Sequence, residues 1–558
     1  MILRLTGAMT IIGVLCKDSE RETVREFFEL FKTPWEFCAS GRNYEVVVST
    51  MQEALELNAG LTVIYSSAPT QFDACKGISV DSAASNYLMD HNGNSFPIYS
   101  KLASFRDQGR PLIHTKSEVV VIELSGLHGK IVRAGYDLFK EVAFLLAEGQ
   151  PAENALIPTL DFHISLLRSW IVHAGIPVVE IPPIPWGHNF IACLTHDVDF
   201  AGIRRHRLDH TMWGFVYRAL VGSLLGFLKG ACSFSRLMTN WLAVFSLPLV
   251  YLGILDDFWD HFDRYAELEK GLSSTFFLIP FKHRVGDKVH SEFPARRATR
   301  YDIDDVREQV QGLSNRGFEI GLHGIDAWHS VDKGQQELNR IMVATGQKCI
   351  GVRIHWLCFD LGSPVVLEQA GFDYDASSGY NEMIGYKAGT MQVFRPFGAT
   401  RLLELPLHIQ DTALFYPQRL GLTDTQAWKL CEALLNLAVR FGGVLTVSWH
   451  ERSLVPERLW GEFYKHLLEE LQARGAWFGT AGQVVRWFRA RRSVVFEDCS
   501  FVANTVRLRL QCEGSGFEPR LFLRVHRPPR AESVQSYVEY GHIDLPYAGE
   551  PLVEIQLA

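Results

Sequence analysis

Phe190-Ile-Ala-Cys-Leu-Thr-His-Asp-Val-Asp199 is the stretch on which the reading of this chain turns. Residues 190–195 form an apolar run of strand length, and two carboxylates follow it, two residues apart. On an extended chain, residues i and i+2 point to the same side, so Asp197 and Asp199 can share one metal or divide the roles of base and ligand. A solvated turn or a helix N-cap is the ordinary alternative for such a segment. Outward from it, apolar runs at 274–279, 318–322, 402–407 and 444–449 alternate with helical segments such as 258–269. Buried strands spaced by helices predict an α/β domain, a parallel barrel or open sheet, with functional groups at the C-terminal ends of its strands.

Those strand ends carry more chemistry. Gly317-Phe-Glu-Ile-Gly-Leu-His-Gly-Ile-Asp-Ala-Trp-His329 runs from a strand into a loop with two histidines, His323 and His329, and an acid. Histidine is the commonest metal ligand. Two of them six residues apart fall on different faces of a helix, so a shared metal needs a non-helical loop, which Gly324 permits. Loop histidines without a ligand are the plain alternative. Three more groups follow in order: Arg353 with His355 in Gly-Val-Arg-Ile-His-Trp, Asp375 in Gly-Phe-Asp-Tyr-Asp-Ala-Ser-Ser, and His450 in Leu-Thr-Val-Ser-Trp-His-Glu.

Taken together, residues 188–490 resemble the five ordered motifs of the NodB-type polysaccharide deacetylases, carbohydrate esterase family four. The resemblance implies a NodB-like (β/α) barrel and a metal-dependent hydrolase that removes N-acetyl or O-acetyl groups from a sugar or polysaccharide. It implies Asp197 as general base, Asp199, His323 and His329 as ligands of zinc or a similar divalent ion, Arg353 as the group orienting the base, Asp375 in the fourth motif and His450 as general acid. Two departures stand out: Val198 separates acids that are usually adjacent, and the histidines lie six rather than four apart. The two acids are therefore interchangeable at this point. An Asp-His-His set leaves positions open for water and a carbonyl, which suits amide or ester hydrolysis. Trp328, Trp356 and Trp449 beside the motifs can face a sugar ring or pack in the core.

Two rivals use the same residues differently. Asp197-Val198-Asp199 is also the metal-diphosphate pattern of a nucleotide-sugar glycosyltransferase, although that leaves His323, His329 and His450 without a role. A non-catalytic glycan-binding relative would treat the motif departures as decay.

At 558 residues the chain exceeds one hydrophobic core, and 47% apolar with 21% charged residues predicts folding throughout. A net charge of −8 argues against nucleic acid as a partner. Residues 1–180 alternate helical segments such as 19–31 with apolar runs at 44–48, 61–65 and 119–124, which predicts an N-terminal α/β domain without a chemical motif. Arg4 and the apolar residues 5–15 are read as a first strand, since no small-residue cleavage site follows. Pro177, Pro182, Pro183 and Pro185 mark a linker. From 493 to 558, alternation at Val506, Leu508 and Leu510, and at Leu521, Leu523 and Val525, predicts an appended small β-sandwich.

Ten scattered cysteines without a CxxC pair fit a reducing, cytoplasmic compartment. Residues 204–256 form an apolar insertion directly after Asp199. Its run at 237–255 is short for a membrane span and holds Pro248, so buried or interfacial helices are expected. Packing against the protein is the first expectation. Membrane association is the second, with Arg204, Arg205, His206 and Arg207 meeting lipid head groups or the phosphates of a lipid-linked glycan.

Overall fold

The computed structural model describes residues 11–53, 58–91, 93–106, 109–228, 230, 233–288, 294–502, 504–514, 516–529 and 540–557. The chain divides into two compact units, one of residues 188–387 and 398–485, the other of 1–187, 388–397 and 486–558.

The first of these units is built on nine strands: β1 (Phe190–Val198), β2 (Ser274–Leu278), β3 (Glu319–Gly324), β4 (Val352–Ile354), β5 (Tyr374–Asp375), β6 (Leu403–Glu404), β7 (Ile409–Gln410), β8 (Val444–Ser448) and β9 (Ala476–Phe478). Their order is β6-β5-β4-β3-β2-β1-β8-β7, with β9 also on β1, and every pairing is parallel. Among the described residues no ladder joins β6 to β7, so the expected barrel is seen as a mixed α/β path of eight parallel strands rather than a hydrogen-bonded closure. All residues of β1, β2 and β8 are buried, which explains their unbroken apolar runs: parallel strands between covering layers have no polar face. Register aligns the strand ends. Asp197 lies opposite Phe277, His323 opposite Arg353, and Thr195 opposite Ser448. The helix expected at 258–269 is the shorter Phe262–Leu268.

The insertion leaves β1 through Gly202, whose φ of 92° is left-handed and where a Cβ would meet Asp257 Oδ2 at 2.6 Å. Asp257 ties this turn by accepting from the N–H groups of Ile203, Arg204 and Trp259 at 2.9, 3.0 and 3.0 Å. A continuous helix follows over His210–Leu228, then a second over Phe234–Tyr251. Phe215, Ala219, Ala243, Leu247 and Val250 pack with Ile203, Trp259 and Val455 into one core cluster, as the packing expectation required. The opposite faces are open: Trp213, Tyr217, Leu228, Phe234, Leu242 and Phe245 are each more than half exposed, at 57–72%. His210–Leu228 is long and apolar enough to cross a membrane by length and composition, with 28% of it buried. The expected basic cluster is occupied internally. Arg204 donates to the carbonyls of Val250 and Leu255 at 2.8 and 2.6 Å, Arg205 to those of Ala201 and Asp305, and Arg207 to that of Tyr251.

The other unit holds a nine-stranded sheet. Trp35–Phe37, Ile12–Leu15, Val46–Ser49, Leu61–Tyr65 and Lys130–Ala134 run parallel, and Val119–Ser125, Asn94–Arg106, Ser79–His91 and Arg110–His114 extend it antiparallel. The strand read at 5–15 is described only from residue 11, and residues 1–10 lie outside the described ones. Arg133 on this sheet is fully buried and pairs with buried Asp73 at 3.0 Å. The linker and the appended β domain differ from expectation. Val178–Glu180, inside the proline cluster, pairs antiparallel with Leu521–His526, which pairs with His542–Tyr547. A second sheet joins Val495–Val502, Thr505–Gln511 and Leu552–Gln556. Residues 486–558 thus group with the N-terminal segment instead of standing alone. Alternation marks a strand but does not name its partner.

Candidate active site

The C-terminal end of β1 presents its two acids to different surroundings. Asp197 is buried, and Arg353 Nη1 donates to its Oδ1 at 2.9 Å. The same guanidinium donates to Thr195 Oγ1 at 2.6 Å and, through Nε, to the carbonyl of Ala376 at 2.9 Å, and lies 4.6 Å above the Phe277 ring. Burial pushes the Asp197 carboxyl up, but the Arg353 charge and the nearby His323 and His450 outweigh it, so the group is held below the usual carboxylate range.

Asp199 faces three imidazoles. Its Oδ1 lies 3.2 Å from His355 Nε2 and 3.4 Å from His323 Nε2, and its Oδ2 lies 3.9 Å from His450 Nε2. Oδ1 is buried and accepts no hydrogen bond. His323 Nδ1 lies 3.0 Å from the Arg353 carbonyl, an acceptor, so Nδ1 carries a proton and Nε2 is the nitrogen left to face Asp199. Burial pushes His355 down to about 4, which keeps it neutral. Ring nitrogens of two imidazoles and an undonated carboxylate oxygen converging within 4.8 Å are the donor set of a small divalent cation. The residues therefore fit a metal.

This set differs from the expected one. His329 is not brought to Asp199: its Nε2 bonds Asp326 Oδ1 at 2.9 Å, and Asp326 also holds Lys333 Nζ at 3.1 Å and the Asp287 N–H at 2.8 Å. Glu337 fixes the loop by accepting from the N–H groups of Ile325 and Asp326, and this turns His329 away. His355 stands in the third place. The backbone just after it is strained, with φ of 67° at Trp356 and 51° at Leu357, as happens where a site over-determines its turn. Arg297 holds that turn by donating to the His355 carbonyl at 2.9 Å, and Asn381 donates to the Trp356 carbonyl at 3.0 Å.

His450 closes the cluster from β8. Its Nδ1 donates to Asp411 Oδ1 at 2.6 Å, and Asp411 Oδ2 accepts from the His450 N–H at 2.6 Å and from Ser453 Oγ. Burial pushes the ring down, but Asp411, with Asp199 and Asp197, more than reverses this and brings His450 up to about 9. Asp411, just after β7, was not singled out from the sequence, where it follows only a short apolar run. His355 was noted there as a strand-end group without a ligand role.

Asp375 stands apart. It is buried, accepts from Ser377 Oγ, and sits against Glu404; burial raises both carboxyls. It does not line the cavity of about 230 Å³ into which Asp197, Asp199, His323, His355 and His450 open. Of the three tryptophans, Trp356 lines that cavity. Trp449 is core, stacked on Tyr464 and Phe463 at 5.0 and 5.9 Å, and Trp328 is buried.

No family model matches the chain, and no curated protein matches it. Among solved structures it is similar to Agd3, a carbohydrate deacetylase, at 10% identity and TM-score 0.38 over 99% of both chains. It is also similar to a Mycobacterium smegmatis protein described as a polysaccharide deacetylase, at 19% identity and TM-score 0.35 over 56% of this chain and 96% of that one. A third is Puue allantoinase, at 12% identity and TM-score 0.33 over 55% and 92%. All three scores lie below 0.5, so the chemistry of the site is carried by its own residues. The solved structures similar to this chain thus include polysaccharide deacetylases, the family its ordered motifs resemble.

Proposed function

We propose that this protein is a metal-dependent hydrolase that removes acetyl groups from a sugar or polysaccharide. One observation carries the reading: an arginine-held carboxylate, an Asp-His-His donor set and a carboxylate-held histidine converge on one cavity. The carbohydrate substrate is supported by the ordered motifs. Asp199, His323 and His355 would hold the ion, His329 having no place in the set; zinc suits one carboxylate and two imidazoles. When bound, the ion would polarise the acyl carbonyl and acidify water.

The chain's own groups do the rest. Asp197, ionised and fixed by Arg353, accepts the proton of the attacking water at its free oxygen. His450, a cation at neutral pH, gives its Nε2 proton to the departing nitrogen or oxygen as the C–N or C–O bond breaks. Asp411 keeps the ring oriented and stabilises its charge. Acetate and a free amine or hydroxyl result. The unlike settings of the two acids support this division over a transferase in which both bind a metal-diphosphate. The test is acetate release from acetylated oligosaccharides by the zinc-loaded protein without any nucleotide. Dependence on a nucleotide sugar would favour the transferase, and inertness across a panel of acylated glycans the non-catalytic relative.

A second reading concerns the insertion. Its exposed apolar side chains support contact with a bilayer surface, where their burial would be favourable. The internal use of Arg204, Arg205 and Arg207 leaves that contact apolar in character.

A further inference from the structure

The cavity carries more positive charge than its catalytic residues need. Five arginines line it besides the histidines. Two are balanced by acids: Arg452 donates to Glu457 Oε1 at 2.7 Å, and Arg300 lies 3.7 Å from Asp209; a third, Arg296, has a partner of its own. Arg353, behind the cavity, is matched by Asp197. Arg419 and Arg458 are different. Among the described residues neither has a carboxylate within ion-pair distance; Arg419 Nη1 donates to Thr412 Oγ1 at 2.6 Å, and Arg458 Nη2 donates to Tyr416 Oη. Both guanidiniums flank the same ring, 5.7 and 4.9 Å from the centre of Tyr416. Arg458 is only 9% exposed, and Glu457 beside it in sequence is already engaged by Arg452.

Among the described residues neither guanidinium has an acid in contact: at Arg419 burial outweighs the more distant Asp411 and Asp199, whereas at Arg458 the fields of Glu457, Asp411 and Asp199 offset it, so the fork of Arg419 above all lacks a contacting counter-charge. Each guanidinium offers five N–H donors in a planar fork suited to an oxyanion. We propose that Arg419 and Arg458 form an anion subsite beside the reacting centre, so that the glycan deacetylated here carries a carboxylate or phosphate. The proposal rests on the hydrolase reading for the reaction, not for the binding.

The test is equilibrium binding to the full-length protein stripped of divalent ions, which separates recognition from hydrolysis. One pair of probes is an oligosaccharide alternating glucuronate with N-acetylglucosamine and a neutral N-acetylglucosamine oligomer of equal length. The other is N-acetylglucosamine 6-phosphate and its unphosphorylated parent. In one pair the charged member should bind about tenfold tighter or better at low salt, and the pair that shows it separates carboxylate from phosphate. Arg419→Gln should abolish most of that preference and Arg419→Lys should restore part of it; Arg458→Gln should act as Arg419→Gln does. Arg419 is only partly buried, so its variants stand even where Arg458→Gln does not fold. Equal binding of charged and neutral members in both pairs, or a preference that survives Arg419→Gln, overturns the proposal. An intact anion preference without acetate release after zinc is restored would instead overturn the hydrolase reading and leave the subsite standing.

Discussion

Exchanging His329 for His355 in the metal set makes a sharp prediction. His355→Ala removes a neutral imidazole 3.2 Å from Asp199 Oδ1, whereas His329→Ala removes a ring whose Nε2 is committed to Asp326 at 2.9 Å. The loop around His355 should survive the first change, because Arg297 grips the backbone carbonyl there and not the side chain. Groups that merely support a ligand cost about 10–100-fold in metal affinity when lost, so deleting a ligand should cost at least about 100-fold. His329→Ala should leave affinity within about twofold and cost stability of about 0.5–1.5 kcal/mol for one hydrogen bond. Zinc titration calorimetry on both variants, with thermal melts of the metal-free proteins as a folding control, decides it. A His329→Ala protein that loses zinc while His355→Ala retains it would refute the assignment and return the ligand role to the loop after β3.

Further outcomes follow from the same geometry. His450 has to be protonated to act as an acid, so activity should fall as pH rises through about 9; in Asp411→Asn burial is left unopposed by its main counter-charge, and the alkaline limb should move down by about two units or more in a kcat/KM–pH profile, with activity returning at lower pH. A limb that stays put would remove Asp411 from that role. Asp197→Ala should lower kcat by about a hundredfold or more with zinc content unchanged, whereas loss of zinc would make it a ligand. Asp73→Ala, which strands Arg133 in the sheet of the other unit, should destabilise that unit by about 3–5 kcal/mol in denaturant melts. The intact protein should co-sediment with neutral as well as anionic vesicles, and replacing Trp213, Leu228 and Phe245 by serine should abolish this; equal sedimentation of the variant would discard the bilayer reading.

What the sequence disclosed and what it hid have physical causes. β1, β2 and β8 were legible because strands buried on both faces leave unbroken apolar runs. The run at 402–407 delivered only the two residues of β6, since apolar character also serves packing outside a ladder. Asp197, Asp199, His323 and His450, which line one cavity, stand out in the sequence because strand ends in a parallel sheet collect chemistry. His329, expected beside Asp199, bonds Asp326 instead, and spacing along a loop says nothing of its turn, whose Ile325 and Asp326 N–H groups are held by Glu337. Asp411 was invisible: its importance lies wholly in facing His450, thirty-nine residues on. The long antiparallel pair Ser79–His91 and Asn94–Arg106 was missed, and the strand inside the proline cluster became clear only with its distant partner.

The position of β1 also bears on how the chain is made. One edge of β1 is covered by β2, but its other edge pairs with β8, where Leu194 meets Val447 and Thr195 meets Ser448. Those partners are about 250 residues apart, which a ribosome translating 5–20 residues per second takes about 13–50 s to bridge. Through that interval the apolar segment that becomes β1 has no β8 to cover that edge, the condition under which strands pair with the wrong chain. The nascent protein should therefore lean on chaperones that shield this edge, and slow translation before residue 444 should lower its soluble yield.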